Sequence, residues 1–141
     1  MLISAYHNTK KIANLLSLCY YNSKENLLQY VERRFQRKDI LSMGTLDDKR
    51  NLIGIYFADI VPYIHGNIVQ NGECCIHPDH QKKWIGSRLF DAIIEEAVKN
   101  RWVTHHEAKL LKPFRLKEFL EGKGYGEIEH FKLMGKWYEK K

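Results

Sequence analysis

Apolar residues at helical spacing mark two segments near the start of the chain. Ile12, Leu15, Leu16 and Cys19 recur at i, i+3, i+4 and i+7, with Asn8 or Thr9 in position to cap the helix they imply. Ser23 can cap a second helix, which carries Leu27, Leu28, Val31 and Phe35 on one face and a polar Glu32-Arg33-Arg34 and Gln36-Arg37-Lys38 series on the other. Before both, Leu2 to Tyr6 reads as a short strand. The period changes near Asp39. Ile40 to Leu46 and Asn51 to Ile60 are strand-like, and the polar turn Asp47-Asp48-Lys49-Arg50 between them predicts an antiparallel hairpin. A third strand-like run, Ile68 to Ile76, stops at His77-Pro78, because proline has no N–H to continue a ladder.

Helical periodicity then returns. After Asp79-His80-Gln81-Lys82-Lys83, the residues Ile85, Leu89, Ala92, Ile93 and Ala97 form one stripe of a helix reaching about Asn100, with Asp91, Glu95, Glu96 and Lys99 on its outer face. A strand from Trp102 to His105 or His106 follows. A short helix opened by Pro113 and ended near Gly122 to Gly124, then a last strand region from Glu127 to Tyr138, complete the expectation. The order is strand, two helices, three strands, helix, strand, helix, strand. It predicts an α/β (α+β) fold with a mixed, mostly antiparallel central sheet flanked by helices.

Composition narrows the class. The 141 residues suit one domain over 1–141, since two cores of about 70 residues each would be marginal. With 44% hydrophobic and 28% charged residues the chain is neither disordered nor fibrous, and no apolar run approaches the ~20 residues that span a bilayer. The three cysteines, Cys19, Cys74 and Cys75, are odd in number and lack CxxC spacing, which predicts a reducing, cytoplasmic setting without a disulfide framework or zinc ribbon. A formal charge of +6 favours a polyanionic ligand, and nucleic acid and phosphorylated cofactors both qualify on that ground.

The segment richest in chemistry is the turn from the third strand run into the long helix. Helix N-termini expose unpaired N–H groups and the positive end of the helix dipole, which suits a phosphate. Lys82, Lys83 and Arg88 add cations there, Gly86 permits close backbone approach, and Ser87 brings a further donor. An ordinary strand-to-helix turn with solvated lysines would show the same pattern.

Ile76-His77-Pro78-Asp79-His80-Gln81-Lys82-Lys83-Trp84-Ile85-Gly86-Ser87-Arg88-Leu89-Phe90 resembles the acetyl-CoA signature of the GCN5-related N-acetyltransferase (GNAT) family, a hydrophobic-x-Pro run followed by Q/R-x-x-G-x-G/A. Pro78, Gln81, Gly86 and Leu89 match in spacing. Phe119-Leu120-Glu121-Gly122-Lys123-Gly124-Tyr125 resembles a later segment of the family, and the predicted element order is the family's order. Two departures stand out. Trp84 replaces the first glycine of the signature, and Leu120 falls where the family often has a tyrosine acid. The asparagine often found before that helix has no clear counterpart between His106 and Lys112.

The resemblance implies a GNAT-like fold and direct transfer of acetyl from acetyl-CoA to an amine of a small molecule or protein, without a covalent enzyme intermediate. It implies a pyrophosphate cradle from Gln81, Lys82, Lys83, Trp84, Ile85, Gly86 and Ser87, and strand-like hydrogen bonds from the backbone of Cys75 and Ile76 to the acetyl and pantetheine groups. Family members that use a carboxylate base hold it on this strand, which makes Glu73 the first candidate to remove the amine proton. The spacing from Gln81 selects Gln70 equally well, and a structural glutamate at a sheet edge is an equal alternative. A catalytically inactive GNAT-fold binding or assembly protein is the alternative, with Trp84 and Leu120 as its marks. The acceptor is unspecified, a homodimer is left open, and no membrane partner is expected.

Other constellations are weaker. Glu73, Cys75 and His77 share a strand face but span ~13 Å, too far for one metal ion. Cys75 as a nucleophile needs a base such as His77 or His106, whereas a buried, unreactive thiol is commoner. His105 and His106 point to opposite sides of their strand. The Arg33 to Lys38 and Lys136 to Lys141 stretches mix cations and aromatics without a nucleic-acid-binding signature, so nucleic acid is not favoured as a partner.

Overall fold

The computed structural model describes residues 1–110, 116–129 and 132–139. They divide into two compact units, Met1–Ala108 and Lys109–Lys141. The first unit runs β1 (Leu2–Ser4), α1 (Thr9–Cys19), α2 (Lys24–Phe35), β2 (Ile40–Leu46), β3 (Leu52–Tyr63), β4 (Gly66–Ile76), a 3-10 turn (Pro78–His80), α3 (Ile85–Asn100) and β5 (Val103–His106). The five strands form one sheet in the order β1-β2-β3-β4-β5, antiparallel except for the parallel β4–β5 pair. This is the mixed, mostly antiparallel sheet that the sequence predicts.

The helices begin where their caps stand. Asn8 Oδ1 accepts from the Lys11 N–H at 3.1 Å, and Ser23 Oγ accepts from the Asn26 N–H at 3.1 Å. Glu25 in the first turn of α2 and Arg33 and Arg34 in its last turn complement the helix dipole. Ile12, Leu15, Leu16, Leu27 and Val31 are buried against Ile55, Phe57 and Cys75, so α1 and α2 cover one face of the sheet. The opposite face receives α3, whose buried Leu89, Phe90, Ile93 and Ala97 lie on its sheet side; the Phe90 ring meets Tyr56 edge-on at 5.8 Å. With helices on both faces, β2 and β3 are buried along nearly their whole common length.

β3 and β4 are longer than the sequence suggests, joined through Ile64 and His65 in a tight turn. Pro62 lies within β3 at no cost to the ladder. The β2 partner ends at Ile40, opposite Asp59, and Pro62 falls beyond it on an uncovered edge. Gly66, at φ 133°, packs so closely on Thr104 that a Cβ would sit 2.5 Å from its methyl group.

The second unit contains α4 (Lys117–Gly122), ended by the Gly124 N–H to Glu121 O bond with Gly124 at φ 89°. Pro113, expected to open this helix, lies outside the described residues. The strand expected over Glu127 to Tyr138 is absent from the described part of that stretch. Its Leu133, Met134, Trp137 and Tyr138 stand exposed, so no buried face supports a strand there.

A second correction concerns the cysteines. Cys19, at the end of α1, is joined to Cys75 on β4 in a disulfide, with Cα atoms 6.6 Å apart. The sequence predicted none; the pair arises because the last turn of α1 lies across β4, a proximity hidden by a separation of 56 residues. Cys74 remains a free, exposed thiol. Thiol titration of the denatured chain is expected to find one free thiol per chain without reductant and three with it. The Cys19→Ser/Cys75→Ser variant should lose about 4 kcal/mol of unfolding free energy by the chain-entropy estimate; an unchanged denaturation midpoint would show that the bond constrains nothing.

Candidate active site

β4 and β5 pair only over Asn67, Ile68 and Val69, and the Glu107 N–H closes the pairing on Val69 O at 2.9 Å. β4 then continues to Ile76, while the chain leaving β5 does not follow it. The strands part, and among the described residues no strand pairs with the β4 edge over Gln70 to Ile76. His77 N–H donates to Ile53 O at 2.8 Å, so the antiparallel alternation directs the Cys75 backbone to β3. The backbone groups that face the open edge are therefore those of Cys74 and Ile76. Of the expected Cys75 and Ile76 pair, the register turns only Ile76 outward. The Cys75 side chain is buried and disulfide-bonded, which removes it as a nucleophile.

Midway along β4 the register slips. Asp59 pairs with Gln70 and Phe57 with Glu73, leaving Asn71 and Gly72 opposite the single residue Ala58, with Asn71 at φ 57°. This bulge puts Gln70 and Glu73 on the same face, which an unbroken strand would not. Gln70 donates to Glu107 Oε2 at 2.8 Å. Glu73 is held on both carboxylate oxygens, Oε2 accepting from the Tyr20 hydroxyl at 2.6 Å and Oε1 from the Tyr30 hydroxyl at 2.8 Å. Burial, with the bond to Glu73 adding, pushes the Tyr30 phenol up to about 12 and raises Tyr20 further still. Both phenols stay protonated as donors.

The bulge itself is anchored from α2. Arg34 donates to Asn71 O at 2.6 Å and to Asp59 Oδ1 at 3.2 and 3.3 Å, and Asn71 Nδ2 donates to Asp59 Oδ2 at 3.1 Å. Asp59 is 4% exposed, and its carboxylate is neutralised by Arg34. None of Tyr20, Tyr30, Arg34 and Asn71 stood out in the sequence. They come from three elements, and no local period brings them together.

The turn after β4 closes the other end of the open edge. His77 caps the 3-10 turn through the Asp79 N–H, and Gln81 Nε2 donates back to Ile76 O at 3.1 Å. Lys82 and Trp84 take the left-handed conformation, at φ 62° and 64°. The Arg88 N–H is bonded to Trp84 O at 3.0 Å, so Ile85, Gly86 and Ser87 form the first turn of α3. Ile85 and Gly86 lie against Ile76 and Gly54, and a Cβ on Gly86 would make only ordinary contact with Ile76 at 3.6 Å. Lys82, Lys83 and Arg88 are exposed beside this turn. Trp84 occupies a backbone position suited to glycine, yet its side chain is 78% exposed and turned into solvent, so it does not fill the turn.

On the α3 side of the parting, the Tyr56 hydroxyl meets His106 Nε2 at 2.8 Å. Gly72 makes room for it, because a Cβ there would approach the phenol oxygen to 2.6 Å. Burial, with His105 adding, drives His106 down to about 4. His105 is exposed, beside Glu107 at 3.6 Å.

The fold is shared with solved acetyltransferase structures. A ribosomal-protein-alanine N-acetyltransferase from Brucella melitensis biovar Abortus 2308 is similar to this chain at a TM-score of 0.72 and 17% identity, over 97% of this chain and 99% of that one. Glucosamine-6-phosphate N-acetyltransferase from Arabidopsis thaliana is similar at 0.71 and 12% identity, over 99% and 98%. AAC(6')-Iy in complex with the bisubstrate analog CoA-S-monomethyl-acetylneamine is similar at 0.68 and 14%, over 100% and 97%. No family model and no curated protein sequence matches the chain. The likeness is one of fold, and the fold is that of the GNAT acetyltransferases.

Two outcomes follow from this geometry. Trp84→Gly should stabilise the protein by about 1 kcal/mol in denaturant unfolding, because it relieves a left-handed conformation and removes a side chain that buries little; destabilisation would mean that the indole packs. His106 is held neutral when folded but titrates near 6.5 when unfolded, so the unfolded chain binds more protons between about pH 4 and 6.5. Stability should therefore fall on acidification through that window, by on the order of 2 kcal/mol. His106→Gln should flatten the slope, and an unaltered slope would remove His106 as its source.

Proposed function

We propose that the protein is an N-acetyltransferase that moves an acetyl group from acetyl-CoA directly to an amine, working as one GNAT-like domain over residues 1–141. The observation that carries this reading is the open β4 edge beyond Val69, which runs from Glu73 into the first turn of α3. The residues present fit the cofactor. An extended pantetheine arm can add to the outward-facing backbone groups of Cys74 and Ile76 as a strand would. The N–H groups of Ile85, Gly86 and Ser87, the helix dipole and the nearby Lys82, Lys83 and Arg88 suit a pyrophosphate, and Trp84 leaves the turn clear. Gln81 supports the turn by its bond to Ile76 O.

Acetyl-CoA, when bound, supplies the activated acyl group and a thiolate of pKa ~8.5 that can leave without a proton donor. That matters here because Leu120, at the family's tyrosine position, is buried and has no proton to give. An amine of pKa ~10.4 must lose its proton before it attacks, and Glu73 takes it, directly or through water. Gln70, on the same face, cannot act as a base. The acceptor is an amine of a small molecule or a protein.

Leu120 also favours a second reading, a GNAT-fold binding protein without catalysis. Calorimetric titration with acetyl-CoA, with CoA and ATP as controls, separates the two. Micromolar affinity, about −8 kcal/mol, with preference for the CoA ligands supports the enzyme. No binding by the folded protein at millimolar ligand overturns it. Gly86→Glu, which sets a carboxylate in the first turn of α3, should abolish acetyl-CoA binding. Glu73→Gln should leave that affinity intact and reduce amine acetylation by roughly a hundredfold or more.

A further inference from the structure

Both oxygens of Glu73 are occupied by phenols, and the hydrogens in this cluster can be assigned by elimination. Arg34 has no acceptor atom, so where its Nη1 lies 2.6 Å from the Tyr30 oxygen it must donate. The single proton of Tyr30 is then directed to Glu73 Oε1, 2.8 Å away. Tyr20, from the corner after α1, directs its own to Oε2. Arg34 has little freedom to leave this arrangement. Its Nη2 is held by Asn71 O and Asp59, and its guanidinium lies over the Phe57 ring at 5.0 Å and the Tyr30 ring at 5.6 Å.

We propose that Tyr20, Tyr30 and Arg34 are positioning residues for acetyl transfer, fixing the Glu73 carboxylate in one orientation through a directed chain of hydrogen bonds that also holds the β4 bulge. The proposal rests on the reading of Glu73 as the base. Arg34 joins two requirements in one group, since the Nη2 that fixes the Asn71 carbonyl and the Nη1 that orients Tyr30 belong to the same planar guanidinium. Lysine cannot reproduce that fork. The phenols hold Glu73 without competing for the amine proton, because each already carries its own proton and donates it to the carboxylate.

The test is a double-mutant cycle on CoA release from acetyl-CoA with butylamine as acceptor, with acetyl-CoA affinity measured by calorimetry for every variant. Tyr20→Phe and Tyr30→Phe should each lower kcat by roughly tenfold or more and leave acetyl-CoA affinity within about twofold of the wild type. In a Glu73→Gln background neither substitution should lower kcat further, because the residue through which they act is gone. Independent losses that multiply across the two backgrounds would assign the tyrosines to packing alone and overturn the proposal, as would unchanged kcat in the folded single variants. Arg34→Lys should behave like Tyr30→Phe; if it fails to fold, the tyrosine pair still decides.

A readout without turnover addresses the chain directly. With ring-labelled tyrosine, the Tyr30 resonance, assigned by its loss in Tyr30→Phe, should titrate near 12 in the wild type and at lower pH in Glu73→Gln. An identical titration in both proteins would mean that the Tyr30 to Glu73 bond does not form in solution, and would overturn the chain of bonds whatever the enzyme does. A protein that binds no acetyl-CoA would instead overturn the transfer reading, while the Tyr30 titration still judged the hydrogen-bonded chain.

Discussion

An antiparallel strand running unbroken from Gln70 to Ile76 would set Gln70 and Glu73 on opposite faces of the sheet. The extra residue at Asn71 and Gly72 cancels that alternation, and the group that holds it is the Arg34 guanidinium, bonded to the Asn71 carbonyl and to Asp59. A left-handed asparagine and a carboxylate removed from water are both unfavourable alone. Together they are satisfied: Asp59 accepts from Arg34 and from the side chain of the same asparagine. The geometry of Glu73, and hence of the whole site, depends on this buried pair.

The second constraint is the parting of β4 from β5. Three residue pairs hold the parallel strands together, after which, among the described residues, the outward backbone groups of β4 have no strand partner. Such an edge invites an added strand. The same edge ends at the first turn of α3, where the positive end of the helix dipole and exposed cations collect. An extended, amide-bearing chain tipped with phosphate is the ligand we propose for this edge. Glu73 sits on the intervening stretch, held from the α1 and α2 side by Tyr20 and Tyr30.

Much of this was legible in the sequence, and what was not has a common cause. The periodicity of Ile12 to Cys19 and of Ile85 to Ala97, the caps at Asn8 and Ser23 and the stop at Pro78 are local signals, and the structure realises them. The turn from Gln81 to Ser87 is local as well, and its spacing is legible in the sequence. The bulge, the disulfide between Cys19 and Cys75 and the four-residue surroundings of Glu73 are long-range. Each needs α1 or α2 laid across β4, which no window of sequence encodes. Trp84 was ambiguous for another reason, since a residue type does not say whether a side chain fills a turn or leaves it. In the described part of the last expected strand region Leu133, Met134, Trp137 and Tyr138 are exposed, and residue type alone does not make a strand without burial.

The central claim, that the open β4 edge and the first turn of α3 receive acetyl-CoA, is tested most directly by amide hydrogen exchange with and without the ligand. Slowed exchange at Cys74, Ile76, Ile85, Gly86 and Ser87, with the amides of Cys75 and His77 already protected by β3, is the predicted result. Unchanged exchange along that edge, or protection confined to another part of the chain, would contradict it.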